Sequence, residues 1–145
     1  MRHHRATLVM AAIALAALAA PKSVRAHHAF AAEFDSTQPI TLRGSVTRVE
    51  WINPHTWIHL DVKDSSGKVI EWMIEGGTPN TLLRRGVDKN SLPAGTEIVV
   101  EGYRAKNGTN RANGRDLTLP NGRKLFLGSS GTGAPADGKD PTEGK

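Results

Sequence analysis

Between Gln38 and Leu127 the chain follows the two-residue period of strands that bury one face. Ile40, Leu42, Gly44 and Val46 alternate with Thr41, Arg43, Ser45 and Thr47. The phase slips near Arg48 before Val49 and Trp51, which predicts a long strand with a bend or bulge at that point. Asn53-Pro54 interrupts it. Thr56, Ile58, Leu60 and Val62 then alternate with His55, Trp57, His59 and Asp61 in a second strand, closed by the turn residues Asp64-Ser65-Ser66-Gly67. Lys68 to Glu75 reads as a third strand and Thr96 to Tyr103 as a fourth. Asn107-Gly108 and Asn113-Gly114 mark a polar loop. Leu117, Leu119, the Pro120-Asn121-Gly122 turn and Leu125 to Leu127 predict a closing hairpin.

One helix interrupts this pattern. Thr78 has the side chain of an N-cap, Pro79 suits the first helical position because its missing N–H is not needed there, and Gly86 stands just past the end. Three strands, a short helix and two or more further strands are the order of a small OB-like antiparallel β-barrel, with a β-sandwich or another small barrel as the competing architectures. The expected fold class is therefore mostly β.

The ends of the chain differ from this body. Arg2 and Arg5 precede the short apolar run Leu8 to Ala20, and Val24-Arg25-Ala26 resembles a small-residue cleavage site, so residues 1–26 read as a signal peptide. The run is shorter than the ~20 residues that span a bilayer, which favours a cleaved signal over an uncleaved anchor and leaves no membrane span afterwards. Residues 27–128 would form the folded domain. Residues 129–145 are rich in Gly, Pro, Ser and charge, and should be disordered.

Composition narrows the partners. Of the 19 Lys and Arg residues, four (Arg2, Arg5, Lys22 and Arg25) lie in the signal, which holds no acid, so 15 basic residues face 14 acidic ones in the remainder. A net charge of +1 gives no electrostatic reason to expect nucleic acid as a partner. The absence of Cys removes any disulfide framework and fits a bacterial periplasmic or secreted domain held by its core.

Cleavage after Ala26 gives a mature chain that begins His27-His28. An N-terminal histidine offers an amine and an imidazole nitrogen on one residue, a bidentate ligand for Cu(II) or Zn(II). His28 and His55 are the further candidate ligands. Asp35, Glu33, His59 or Asp61 would complete the shell or orient an imidazole from outside it. On a regular strand His55 and His59 stand about 13 Å apart, by the ~3.3 Å rise per residue, so they do not share one ion. With one Met, Met73, and no thiol in the mature body, a soft Cu(I) carrier is disfavoured. Against this stands a bland reading in which the His-His pair is a solvated terminus and His55 serves a turn.

Aromatics offer a second role. Trp57 shares the His55 face and is the best candidate for an exposed contact, which suits a ligand- or protein-binding module of the envelope with structural histidines. Trp72 alternates with Ile70 and Ile74, as a buried residue would. Nucleophile elbows, phosphate loops and zinc-protease motifs are all missing, and Glu50, Glu71, Glu75, Glu97 and Glu101 are spread along strands as solvated faces would be. No catalytic residue is assigned.

The chain also resembles a family. His27-His28-Ala29-Phe30, Glu33-Phe34-Asp35, Gly44-Ser45-Val46, Trp51-Ile52-Asn53-Pro54-His55 and Gly95-Thr96 ahead of Val99-Val100-Glu101-Gly102 are similar to an uncharacterised family of small exported bacterial proteins, a domain of unknown function. The resemblance covers His27 to about Leu127. It implies a secreted β-rich domain and no activity.

Overall fold

The computed structural model describes residue 30 and residues 32–128. The expected signal segment, His27, His28 and the tail from 129 lie outside the described residues. Among the described residues from Phe34 onward, six strands and one short helix follow in order: β1 (Phe34–Glu50), β2 (Trp57–Lys63), β3 (Val69–Glu75), α1 (Pro79–Arg84), β4 (Glu97–Ala105), β5 (Arg111–Thr118) and β6 (Lys124–Phe126). They form a six-stranded sheet in the order β3-β2-β1-β4-β5-β6, antiparallel between neighbours. A further, parallel pairing sets Met73, Ile74 and Glu75 of β3 beside Arg111, Ala112 and Asn113 of β5. β3 is therefore hydrogen-bonded on both edges.

β1 is long enough to serve two partners. Its first part pairs with β4 through Gly44 and Ser45, and its second part pairs with β2 from Gly44 to Glu50. The register shifts between Val46 and Arg48, where the apolar phase slips in the sequence. The Asn53–Pro54 peptide that follows is cis.

Alternation along each strand delivers one apolar set to a shared interior. Leu42, Val46, Ile58, Leu60, Trp72, Ile74, Ile98, Val100, Ala112 and Leu117 are buried together with Leu82, Val87 and Leu92 from the helix and the loop after it. Each large aliphatic side chain so buried contributes on the order of 1.5–3 kcal/mol, the main favourable term in a fold without disulfides. α1 forms where capping chemistry specifies it: the Thr78 side chain accepts from the Thr81 N–H, Pro79 opens the helix, and Leu82 enters the core.

Asn113-Gly114 departs from its expected place in a loop and lies inside β5. The reason is steric. β4 and β5 approach so closely at Gly102 that a β-carbon there would overlap the Asn113 carbonyl, and one at Gly114 would sit 2.7 Å from Ile74 Cγ2. These glycines are close-approach positions in a coiled sheet, not turn residues. Asn107-Gly108 does form a turn, in which Asn107 Oδ1 accepts from the Thr109 N–H and Oγ1.

A smaller apolar cluster ties the segment leading into β1 onto the sheet. Phe30, Phe34, Tyr103 and Ala105 are buried together, with the Phe30 ring edge-on to Tyr103 at a centroid distance of 5.6 Å. The Lys106 N–H donates to the Glu33 carbonyl at 2.9 Å and closes this contact. Among the described residues no helix is long and apolar enough to cross a membrane.

Candidate functional site

His55 enters the fold just ahead of β2, between the cis Asn53–Pro54 bond and Trp57. Trp57 is opposite Glu75 on β3, and Glu75 is beside Asn113 on β5, so the three residues stand in a row across three strands. They occupy the face opposite the core, because Ile58, Ile74 and Ala112, their immediate neighbours along each strand, all point inward. His55 Nδ1 lies 3.4 Å from Glu75 Oε1. Glu75 is only 8% exposed, so the carboxylate expected on a solvated strand face is in fact covered. The correction has a physical cause: Glu75 lies between Trp57 on β2 and Asn113 on β5, with His55 and Arg111 close enough to act on its carboxylate.

Burial pushes the Glu75 carboxyl above its usual range; His55 opposes the shift, Glu33 adds to it, and Arg111 and a hydrogen bond from the Asn113 amide draw it back. Arg111 holds Glu33 at 3.4 Å through Nη2 and lays its guanidinium over the Trp57 ring, 4.6 Å from the centroid. Trp57 is consequently half-buried beneath a cation. Three polar atoms around Glu75 are buried without a hydrogen-bond partner: His55 Nδ1, Arg111 Nε and Asn113 Oδ1. The His55–Glu75 contact is thus close in distance but not aligned as a hydrogen bond.

His59 is placed differently from its expected solvent-facing position. It points to the same face as His55 and Trp57, as alternation requires, yet it is 1% exposed. Nδ1 lies 2.7 Å from Glu71 Oε1, and Nε2 lies 2.9 Å from Glu50 Oε1 and 3.0 Å from Arg48 Nη2. Glu50 and Glu71 therefore converge on an imidazole instead of standing apart. Cross-strand register brings them there: His59 is opposite Met73 and Arg48, which puts Glu71 and Glu50 on its diagonals. His55 and His59 serve separate clusters, as their spacing demands.

The remaining candidate ligands do not join His55. Asp35 is partly exposed and accepts from the Thr37 N–H and Oγ1 and from Gln38 Nε2, which hold its carboxyl below the usual range. Asp61 is six residues along β2 from His55, about 20 Å at the strand rise. It lines a groove of about 460 Å³ with Arg43, Ser45, Lys63 and Glu97. Glu33 does reach the cluster, through Arg111. Among the described residues no three His, Asp or Glu side chains converge as a ready metal cage. The sequence gives Arg111 and Asn113 no functional role, because Asn113-Gly114 reads there as a loop and a single basic residue beside it carries no periodic signal.

A family model described as a family of unknown function (DUF6152) matches residues 13–114, a span that contains both His27-His28 and Asn53-Pro54-His55. No curated protein and no solved structure matches the chain.

Proposed function

The chain belongs to that family of unknown function, whose description carries no activity, and from the residues themselves we propose that it is an exported, periplasmic or secreted OB-like β-barrel that binds Cu(II) or Zn(II). The double pairing of β3 with β2 and β5 supports the barrel reading, since it turns five strands into a ring, with α1 between β3 and β4. The metal ligands are the amine and imidazole of His27, with His28 and His55.

One observation carries the reading: Phe30 is docked on Tyr103, two strands from Glu75. Tyr103 is opposite Asn113 on β5, and Asn113 is beside Glu75 on β3, so this path covers about 10 Å at the ~4.8 Å strand spacing. His28 and His27 precede Phe30 by two and three residues, a reach of up to about 7 and 10 Å. The anchor of the entry segment and the length of chain before it therefore match the distance to the His55–Glu75 pair.

Secreting the protein, determining its mature N-terminus by mass spectrometry and titrating Cu(II) and Zn(II) by calorimetry tests this. We expect one ion per chain, and a loss of at least about tenfold in affinity both for His27→Ala and for a chain with one residue added ahead of His27. A mature chain beginning elsewhere, or uptake indifferent to both changes, overturns the reading. In that case the half-covered Trp57 face becomes the better candidate, and Trp57→Ala is the variant to examine for loss of a partner.

A further inference from the structure

We propose that Glu75 and Asn113 supply oxygen donors to an ion held by His55, so that the barrel itself carries a His55–Glu75–Asn113 half-site for a divalent transition metal. This rests on the metal-binding reading above but assigns ligands on the barrel wall that the N-terminal histidines do not provide.

Geometry is the first argument. At 3.4 Å and out of alignment, His55 Nδ1 and Glu75 Oε1 make a poor hydrogen bond. Two donors each about 2.1 Å from one tetrahedral ion stand about 3.4 Å apart, so the pair already has the separation of neighbouring ligands on Zn(II). The second argument is the state of Asn113. It is 1% exposed, its amide is engaged with Glu75, and its Oδ1 is buried without a partner. Half a turn about Cβ–Cγ exchanges the amide nitrogen and oxygen, which presents the oxygen to an ion seated at the carboxylate. Coordination gives this buried oxygen the partner it lacks, and the ion takes over the contact with Glu75 that the amide nitrogen gives up.

Charge points the same way. Glu33 and Glu75 bring two negative charges and Arg111 one positive charge to this patch, so with neutral imidazole it keeps a net −1. A cation balances that; an anionic ligand would not. Imidazole, carboxylate and amide oxygen together form a mixed nitrogen and oxygen set suited to Zn(II). The Arg111 guanidinium, held between Glu33 and the Trp57 ring, would hold Glu33 out of the ligand sphere.

The test uses the secreted full chain and Zn(II) alone, followed by calorimetry, with circular dichroism confirming that each variant folds. Glu75→Gln keeps the size and hydrogen-bonding reach of the side chain and removes its charge; we expect at least about tenfold weaker Zn(II) binding. Asn113→Asp, which replaces an amide oxygen by a carboxylate, should bind more tightly than wild type at pH 7. Loss in both His27→Ala and Glu75→Gln supports the half-site and the N-terminal reading together. Loss in Glu75→Gln with binding intact in His27→Ala supports the half-site and overturns the N-terminal reading. Loss confined to His27→Ala overturns the half-site, as does unchanged affinity in Asn113→Asp. A wild-type chain that takes up no Zn(II) overturns the half-site and confines the N-terminal reading to Cu(II).

Discussion

His59 Nδ1 lies 2.7 Å from Glu71 Oε1, although the residues are 12 positions apart and Glu71 is more than half exposed. The imidazole is thus fixed between strands by charged side chains that themselves keep contact with water. Removing it leaves Glu50, Glu71 and Arg48 free to rehydrate, so the cost is that of the lost hydrogen bonds and packing, not of stranded charges. His59→Leu should destabilise the fold by about 1–3 kcal/mol, and Glu71→Gln, which keeps an acceptor, by less than about 1 kcal/mol. Urea denaturation of the two variants checks the order.

Gly102 and Gly114 should not tolerate alanine equally. At Gly102 the added methyl meets the Asn113 backbone carbonyl, which the β4–β5 ladder holds in place. At Gly114 it meets Ile74 Cγ2 at 2.7 Å, Leu127 Cδ1 at 3.0 Å and the Glu75 carbonyl at 3.3 Å; the overlap there is with side chains, of which the Leu127 methyl can shift and the buried, β-branched Ile74 yields less. We expect Gly102→Ala to cost about 3 kcal/mol or more and Gly114→Ala about 1–3 kcal/mol, read from denaturation midpoints at constant slope.

These two glycines also show what the sequence conceals. Strand periodicity located β1 to β4, the slip near Arg48 anticipated the register shift, and capping chemistry placed α1, because each of those signals is local. Asn113-Gly114 looks like a turn by the same local rules. Its pairing with β4, Tyr103 opposite Asn113 and Gly102 opposite Gly114, and the parallel meeting of Asn113 with β3, about 40 residues earlier in the chain, make it a strand. The site divides likewise. His55, Glu33 and Trp57 were legible as candidates, but the burial of Glu75 and of His59 depends on which side chains cross-strand pairing stacks over them. Alternation says which face a residue takes; it does not say what covers that face.

Docking of the entry segment has its own reporter. Phe30 belongs to the satellite cluster with Phe34 and Tyr103, separate from the main core, so Phe30→Ala should release this segment without unfolding the sheet. The Lys106 N–H donates to the Glu33 carbonyl and is the amide to watch. Hydrogen exchange at Lys106 should accelerate by at least about tenfold, while the core amides of β2 and β3 keep wild-type protection. Equal acceleration in all of them would mean that the cluster and the core unfold as one.

Acid should weaken the turn between β2 and β3. Asp64 Oδ1 accepts from the Ser66 N–H at 2.8 Å, from Ser66 Oγ at 2.6 Å and from the Lys68 N–H at 3.0 Å. These bonds favour the ionised form and hold the Asp64 carboxyl below its ordinary value of 3.8, the Ser66 hydroxyl being the largest cause. A carboxyl lowered on folding contributes stability that is complete above its unfolded pKa and is lost as pH falls through the lower, folded one. Asp64→Asn keeps the acceptor oxygen and the Asx-turn but cannot titrate. Wild type should therefore exceed Asp64→Asn in stability at pH 6, and the two should converge below pH 3.8. Because Asp64 is fully exposed, salt should shrink the difference at pH 6 as well. Denaturation curves for the pair across this range decide it: a gap that is constant with pH would assign the effect to the geometry of the amide, not to the charge of the carboxylate.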